Sequence, residues 1–336
     1  MADFPRLLVT GGAGFIGSQY VRMAARGSGH VTVLDKLTYA GNVENLRDVR
    51  DRITFIQGDI GEPADVEKAM AGADAVLTFA AESHVDRSLM DSRPFVRTNV
   101  EGTLVLLEAA RRLGVKRFLQ VSTDEVYGDL HGKTHTSREG DVLAPRSPYA
   151  ATKAAAEHLV MSYGVGYGLD VVLTRGSNTY GPYQFPEKII PLFITNAIED
   201  KPLPLYGQGK ALRDYLHVED HATGIDLVLR EGRRGRAYNL GARVQAPGTQ
   251  VAQRVLACLN KPQTLAQFVP DRPGHDYRYE VDPSDAEALG WQRRWDFPTG
   301  LAQTVQWYLN NHGWWQPLKH AGAFRDYEKT WYTDRK

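Results

Sequence analysis

Thr10-Gly11-Gly12-Ala13-Gly14-Phe15-Ile16-Gly17 comes directly after the apolar run Leu7-Leu8-Val9. Glycines spaced three and three, between a strand-like run and a helical pattern starting near Phe15, let bare backbone approach a pyrophosphate. Gly11 is expected to permit the tight turn, Gly14 the close approach and Gly17 the packing of helix on strand. The helix N-terminus adds unpaired N–H groups and the positive end of its dipole. Outward from this loop, runs rich in β-branched residues at 7–10, 31–35, 53–57, 75–79 and 118–122 alternate with helical patterns. Such βαβ units predict an α/β, Rossmann-type doubly wound parallel sheet that binds ligands beyond the carboxyl ends of its strands. After a sixth run at 171–174, Gly, Pro and aromatic residues crowd 178–191 and 201–209, as in loops that cover a ligand. Residues 1–175, rejoined by 211–240, are expected to form the dinucleotide-binding domain. Residues 176–210 and 241–336 are expected to form a smaller, discontinuous C-terminal lobe for substrate.

Composition narrows the function classes. Forty basic and forty acidic side chains cancel, so no global field gathers nucleic acid or an anionic membrane, and an anionic ligand must be held by local charges. A single cysteine, Cys258, forms no intrachain disulfide, and the first residues show no signal-peptide pattern, which together predict a cytoplasmic protein. No apolar stretch approaches the roughly 18 residues of a membrane span. The spacings His217-x-x-x-His221 and His131-x-x-x-His135 lack a third ligand, and no metal is expected.

Asp35 closes the second strand run, where a carboxylate meets the adenosine ribose hydroxyls and repels a 2′-phosphate, so NAD is expected over NADP; Lys36 next door pulls the other way. Asp59 comes after the third run and reads equally as an adenine contact or an ordinary loop acid. Tyr149-Ala-Ala-Thr-Lys153 puts a phenol and an ammonium on one helix face, with Pro148 at a favourable helix start. The ammonium, together with the positive charge of a nicotinamide, is expected to favour phenolate, making Tyr149 the base for alcohol oxidation. The same spacing at Tyr206…Lys210 and Tyr332…Lys336 carries no such context. Thr123 ends the fifth run and is placed to hydrogen-bond the substrate hydroxyl. Directly after it stand Asp124 and Glu125. Oxidation alone does not need two carboxyl groups, whereas elimination of water needs one to protonate a departing hydroxyl and one to abstract a proton beside a new ketone.

These residues resemble the extended short-chain dehydrogenase/reductase family and, within it, the dTDP-glucose 4,6-dehydratases. The resemblance rests on residues 10–17, 35–42, 80–88 and 122–128, on Tyr149 with Lys153, and on 181–188 and 271–276. It implies that Gly11, Gly14, Phe15, Ile16, Gly17, Asp35, Lys36, Thr38, Asp59, Ile60, Ala80, Tyr149 and Lys153 hold NAD. It implies that Thr123, Asp124, Glu125, Tyr149 and Lys153 carry the chemistry. Ser83, His84, Asn178, Lys188, Arg213, Arg272 and His275 would bind a nucleoside-diphosphate hexose, within a homodimer joined through helices such as 95–112 and 149–163. The reaction so implied is intramolecular oxidation at C4, dehydration across C5–C6 and reduction at C6. Three positions depart from the family pattern: Thr179 for a second Asn, Gly248 for a substrate-contacting Asn, and Asp285 for a Lys, all bearing on nucleotide grip. A dehydratase of UDP- or GDP-hexoses, an epimerase, and a non-catalytic dinucleotide sensor are the competing readings. The intact Thr123, Asp124, Glu125, Tyr149 and Lys153 argue against the sensor.

Overall fold

The computed structural model describes residues 4–271, 274–322 and 324. Six parallel strands form the first half: β1 (Arg6–Thr10), β2 (His30–Asp35), β3 (Ile53–Gln57), β4 (Ala75–Thr78), β5 (Arg117–Thr123) and β6 (Val171–Gly176). Strands β7 (Asn178–Tyr180), β8 (Leu203–Tyr206), β9 (Leu212–His217), β10 (Arg236–Leu240), β11 (Gln245–Pro247) and β12 (Ala266–Val269) complete the set. One seven-stranded sheet runs in the order β10-β6-β5-β4-β1-β2-β3, every neighbour parallel. Order reverses between β1 and β4, and that switch point opens a crevice above the strand ends. Strand β5 is buried at all seven residues, as expected for a central parallel strand covered on both faces by helices. The Rossmann-type α/β fold expected from the strand runs is the one observed.

The segment after β6, the least periodic part of the chain, builds two small sheets, β11-β9-β7 and β12-β8. Strand β10 rejoins the large sheet, while β9 pairs with β7 and β11 instead. Ile190, Phe193, Ile194, Leu203, Val251 and Trp315 pack into a core of their own. The C-terminal helices Phe297–Asn310 and His312–His320 are tied back to the glycine loop. Trp314 Nε1 donates to Asn45 Oδ1 at 2.8 Å, and Asn45 Nδ2 donates to Ala13 O at 2.8 Å. Asn45 is 1 % exposed, so loss of either partner would leave a buried amide unsatisfied. Beside this link, Tyr183, in the left-handed region at φ 66°, lies against Trp307 and Trp314 with the Arg22 guanidinium 4.4 Å from its ring centre.

Candidate active site

The loop after β1 turns at Gly11, whose φ is +69° and whose absent Cβ would lie 2.4 Å from Ala80 N. A Cβ on Gly17 would strike Gly11 O at 2.2 Å, so this glycine packs the helix on its own loop; Gly12, not singled out from sequence, packs on Val33 of β2. A Cβ on Gly14 would meet Gly11 O at 3.2 Å and would otherwise fill the crevice. Gly14 also caps the helix Phe15–Ala24 without any side-chain hydrogen bond, leaving first-turn N–H groups for an anion.

Asp35 has two tasks. Its Oδ2 accepts from Ala13 N at 2.9 Å and its Oδ1 from Leu37 N at 2.8 Å, so it braces the glycine loop while lining the crevice. Burial pushes this carboxyl up and the two amides oppose the shift. Lys36 does not compete for a phosphate: its Nζ is 2.6 Å from Asp59 Oδ2. One cleft gathers all thirteen residues expected at the dinucleotide, from Asp35 and Asp59 at one end to Tyr149 and Lys153 at the other. Its bare glycine backbone, its carboxylate with spare lone pairs for a diol, and the buried Ser122 Oγ, without a partner among the described residues, fit a dinucleotide.

At the far end, Thr123 Oγ1 accepts from Glu125 N and donates to Asp124 Oδ1, both at 3.2 Å, and hydrogen-bonds Tyr149. Ser147 caps the helix Pro148–Gly166 by accepting from Ala150 N at 3.1 Å, which sets Tyr149 at the first turn. Two carboxyl groups adjacent in sequence occupy unlike places. Asp124 is 2 % exposed, and burial, then Glu125 and Asp214, push it well above the usual carboxylate range, which favours the neutral acid. Glu125 lines both the dinucleotide cleft and a second cavity.

Burial, with Glu125 next, pushes the Tyr149 phenol up rather than down, and only Thr123 opposes. The Lys153 ammonium, lowered to about 8 by burial, donates instead to Val121 O at 2.7 Å.

The second cavity adjoins the first and is lined by His84, Glu125, Asn178, Lys188, Arg213, Gly248 and His275; Ser83 lies on the cleft side. Arg213 donates to the carbonyls of Leu212 and Asp276, both at 2.8 Å, and lies over the Tyr279 ring. Burial lowers His84 to about 4, and Asn178 Oδ1 is buried with no partner among the described residues. Arg272 lies outside the described residues. Sequence reasoning missed Gln184, Glu187, Tyr279 and Tyr206, whose hydroxyl donates to Asp86 Oδ2 at 2.8 Å. Of the three departures, Thr179 and Gly248 line this region. Asp285 does not: it pairs with Arg236 at 3.1 Å, remote from both cavities, and its expected bearing on nucleotide grip is withdrawn. Among the described residues no three His, Cys, Asp or Glu side chains gather as metal ligands.

The sequence pattern of the NAD dependent epimerase/dehydratase family matches residues 7–241. The chain belongs to that family. Within this NAD dependent epimerase/dehydratase family it is 48% identical to the dTDP-glucose 4,6-dehydratase of Streptomyces niveus over 323 residues, 94% of this chain and 96% of that one. The solved dTDP-glucose 4,6-dehydratase DesIV of Streptomyces venezuelae, with NAD bound, superposes with a TM-score of 0.91 at 46% identity, covering 94% of this chain and 100% of that one. The UDP-glucose 4-epimerase of Thermus thermophilus, also with NAD, gives 0.85 at 34% identity over 91% and 99%. The resemblance, the fold and the NAD dependence expected from sequence therefore stand.

Proposed function

We propose that the chain converts dTDP-glucose to dTDP-4-keto-6-deoxyglucose by oxidation, dehydration and reduction within one site. One observation carries this reading: Asp124 is buried, its Oδ2 without a partner among the described residues, beside a Glu125 that opens on both cavities, an asymmetry that elimination needs and plain oxidation or epimerisation does not. The relatives' names supply the nucleobase and sugar.

The glycine loop and Asp35 hold the dinucleotide, and the second cavity holds the nucleoside diphosphate through Lys188, Arg213 and His275 with Asn178. NAD held by that loop would supply the acceptor for the C4 hydride and the donor for C6. Tyr149, oriented by Thr123, takes the C4 hydroxyl proton. A cationic nicotinamide would offset what burial and Glu125 do to the phenol. Glu125 removes the C5 proton, made acidic by the C4 ketone, while Asp124 gives its proton to the C6 oxygen and water leaves. Glu125 then returns a proton to C5.

The wider expectations belong to the same proposal. Residues 176–210 and 241–336 carry the substrate, and the protein works in the cytoplasm. Exposed apolar side chains at Val96 and Leu104, on the expected helical face, support a homodimer. No described helix is long and apolar enough to cross a membrane. The test is to incubate purified protein with dTDP-, UDP- and GDP-glucose or mannose. Loss of one water from dTDP-glucose, with a 4-keto-6-deoxy product by NMR, is expected; a product of unchanged mass would mean epimerisation and refute the assignment.

A further inference from the structure

Register pairs Thr123 of β5 with Gly176 of β6, so Gly176 borders the end of the cleft where Tyr149 and Lys153 stand. Into the space that a side chain on Gly176 would take comes the imidazole of His221, from the helix Val218–Glu231; a Cβ there would meet Nε2 at 2.5 Å. His221 is 2 % exposed and lines the cleft. Its two nitrogens are not equivalent. Nδ1 is 2.7 Å from Thr179 Oγ1, and that hydroxyl also lies 3.1 Å from Ser177 O. A carbonyl can only accept, so the single hydroxyl proton goes to Ser177 O and the hydroxyl accepts from Nδ1–H. Nε2 is then a bare lone pair, buried and without a partner among the described residues. An unsatisfied buried acceptor of this kind is costly unless a ligand donor meets it.

We propose that His221, held as its Nδ1–H form by Thr179, accepts a hydrogen bond from the carboxamide NH2 of the nicotinamide and thereby distinguishes a carboxamide from groups of the same shape that lack the donor. The inference rests on the cofactor reading above. Burial supports it by keeping the ring neutral, its proton affinity lowered to about 4. Thr179, which departs from the family's Asn, becomes a positioning residue for the ring.

The test measures binding to cofactor-stripped protein by calorimetry, with three probes: NAD, ADP-ribose, which ends before the nicotinamide, and 3-acetylpyridine adenine dinucleotide, in which a methyl replaces the amide NH2. Wild type is expected to prefer NAD over the acetyl analogue by about two- to tenfold, the weight of one neutral hydrogen bond. His221→Phe should lose that preference and leave ADP-ribose affinity unchanged, and His221→Gln, which keeps an acceptor, should retain part of it. Equal affinity of wild type for the two dinucleotides overturns the proposal without any variant having to fold. So does a preference that survives in His221→Phe, or an ADP-ribose affinity that falls in parallel. Wild type that bound ADP-ribose and neither dinucleotide would instead refute the NAD reading itself.

Discussion

Replacing Asp124 by Asn should separate oxidation from elimination. The amide keeps the volume of the carboxyl, and its Oδ1 keeps the hydrogen bond from Thr123 Oγ1. The variant loses the proton that burial, Glu125 and Asp214 hold on the acid. The neighbouring Tyr149 should be little changed, because a neutral acid gives way to a neutral amide while burial and Glu125, its main perturbers, remain. Oxidation at C4 should therefore proceed, while departure of the C6 hydroxyl without its acid should slow by roughly 10² to 10⁴-fold, or about 2.7 to 5.4 kcal/mol of barrier. Mixing the variant with dTDP-glucose in a single turnover should show reduced-nicotinamide absorbance rising and persisting. Solvent deuterium should still enter at C5, since Glu125 remains. Dehydration at the wild-type rate, or failure before any reduced nicotinamide forms, would show that Asp124 positions the sugar and that the acid lies elsewhere.

Asp35→Asn should keep acceptance from one loop amide and lose charge, narrowing the preference for NAD over NADP in titrations of both; an unchanged ratio would place the 2′ selectivity elsewhere. Gly248→Asn should lower KM for the nucleotide sugar about two- to tenfold at nearly constant kcat, since the nearest neighbour of its Cβ is the flexible Leu205 Cδ2 at 3.3 Å and one regained hydrogen bond is worth about 0.5 to 1.5 kcal/mol; no change would mean the site is already satisfied. His84 is buried neutral, at about 4 folded against 6.5 unfolded. Between those values the unfolded chain binds more protons, so stability is full above about 6.5 and falls with pH. Urea titrations should then show wild type losing about 1.4 kcal/mol per pH unit more than His84→Gln across that window, and parallel pH slopes would contradict it.

The large sheet and the reacting cluster could be read from sequence because both are local. A β-branched run announces a parallel strand, and the residues just beyond its end, whether the glycine loop or Thr123-Asp124-Glu125, are placed above the sheet by chain direction alone. Tyr206 escaped because β8 pairs with β12, a partner far downstream that no periodicity reveals. Asp285 was misplaced by counting along a segment that turns away into the helix Ser284–Ala288. For Tyr149 the residue was readable and its surroundings were not, because spacing shows the nearby lysine but neither the depth of burial nor that the ammonium donates to Val121 O.

The bond from Trp314 to Asn45, 269 residues apart, and from Asn45 to Ala13, joins early and late segments of the chain in time as well as in space. The glycine loop leaves the ribosome well before the helix that carries its buried brace. A chain stopped before His312 should hold NAD more weakly than the full chain, and equal affinity would show the brace to be idle. During synthesis, then, the nucleotide pocket is made before its latch, and firm cofactor loading is expected to wait until the helix His312–His320 docks.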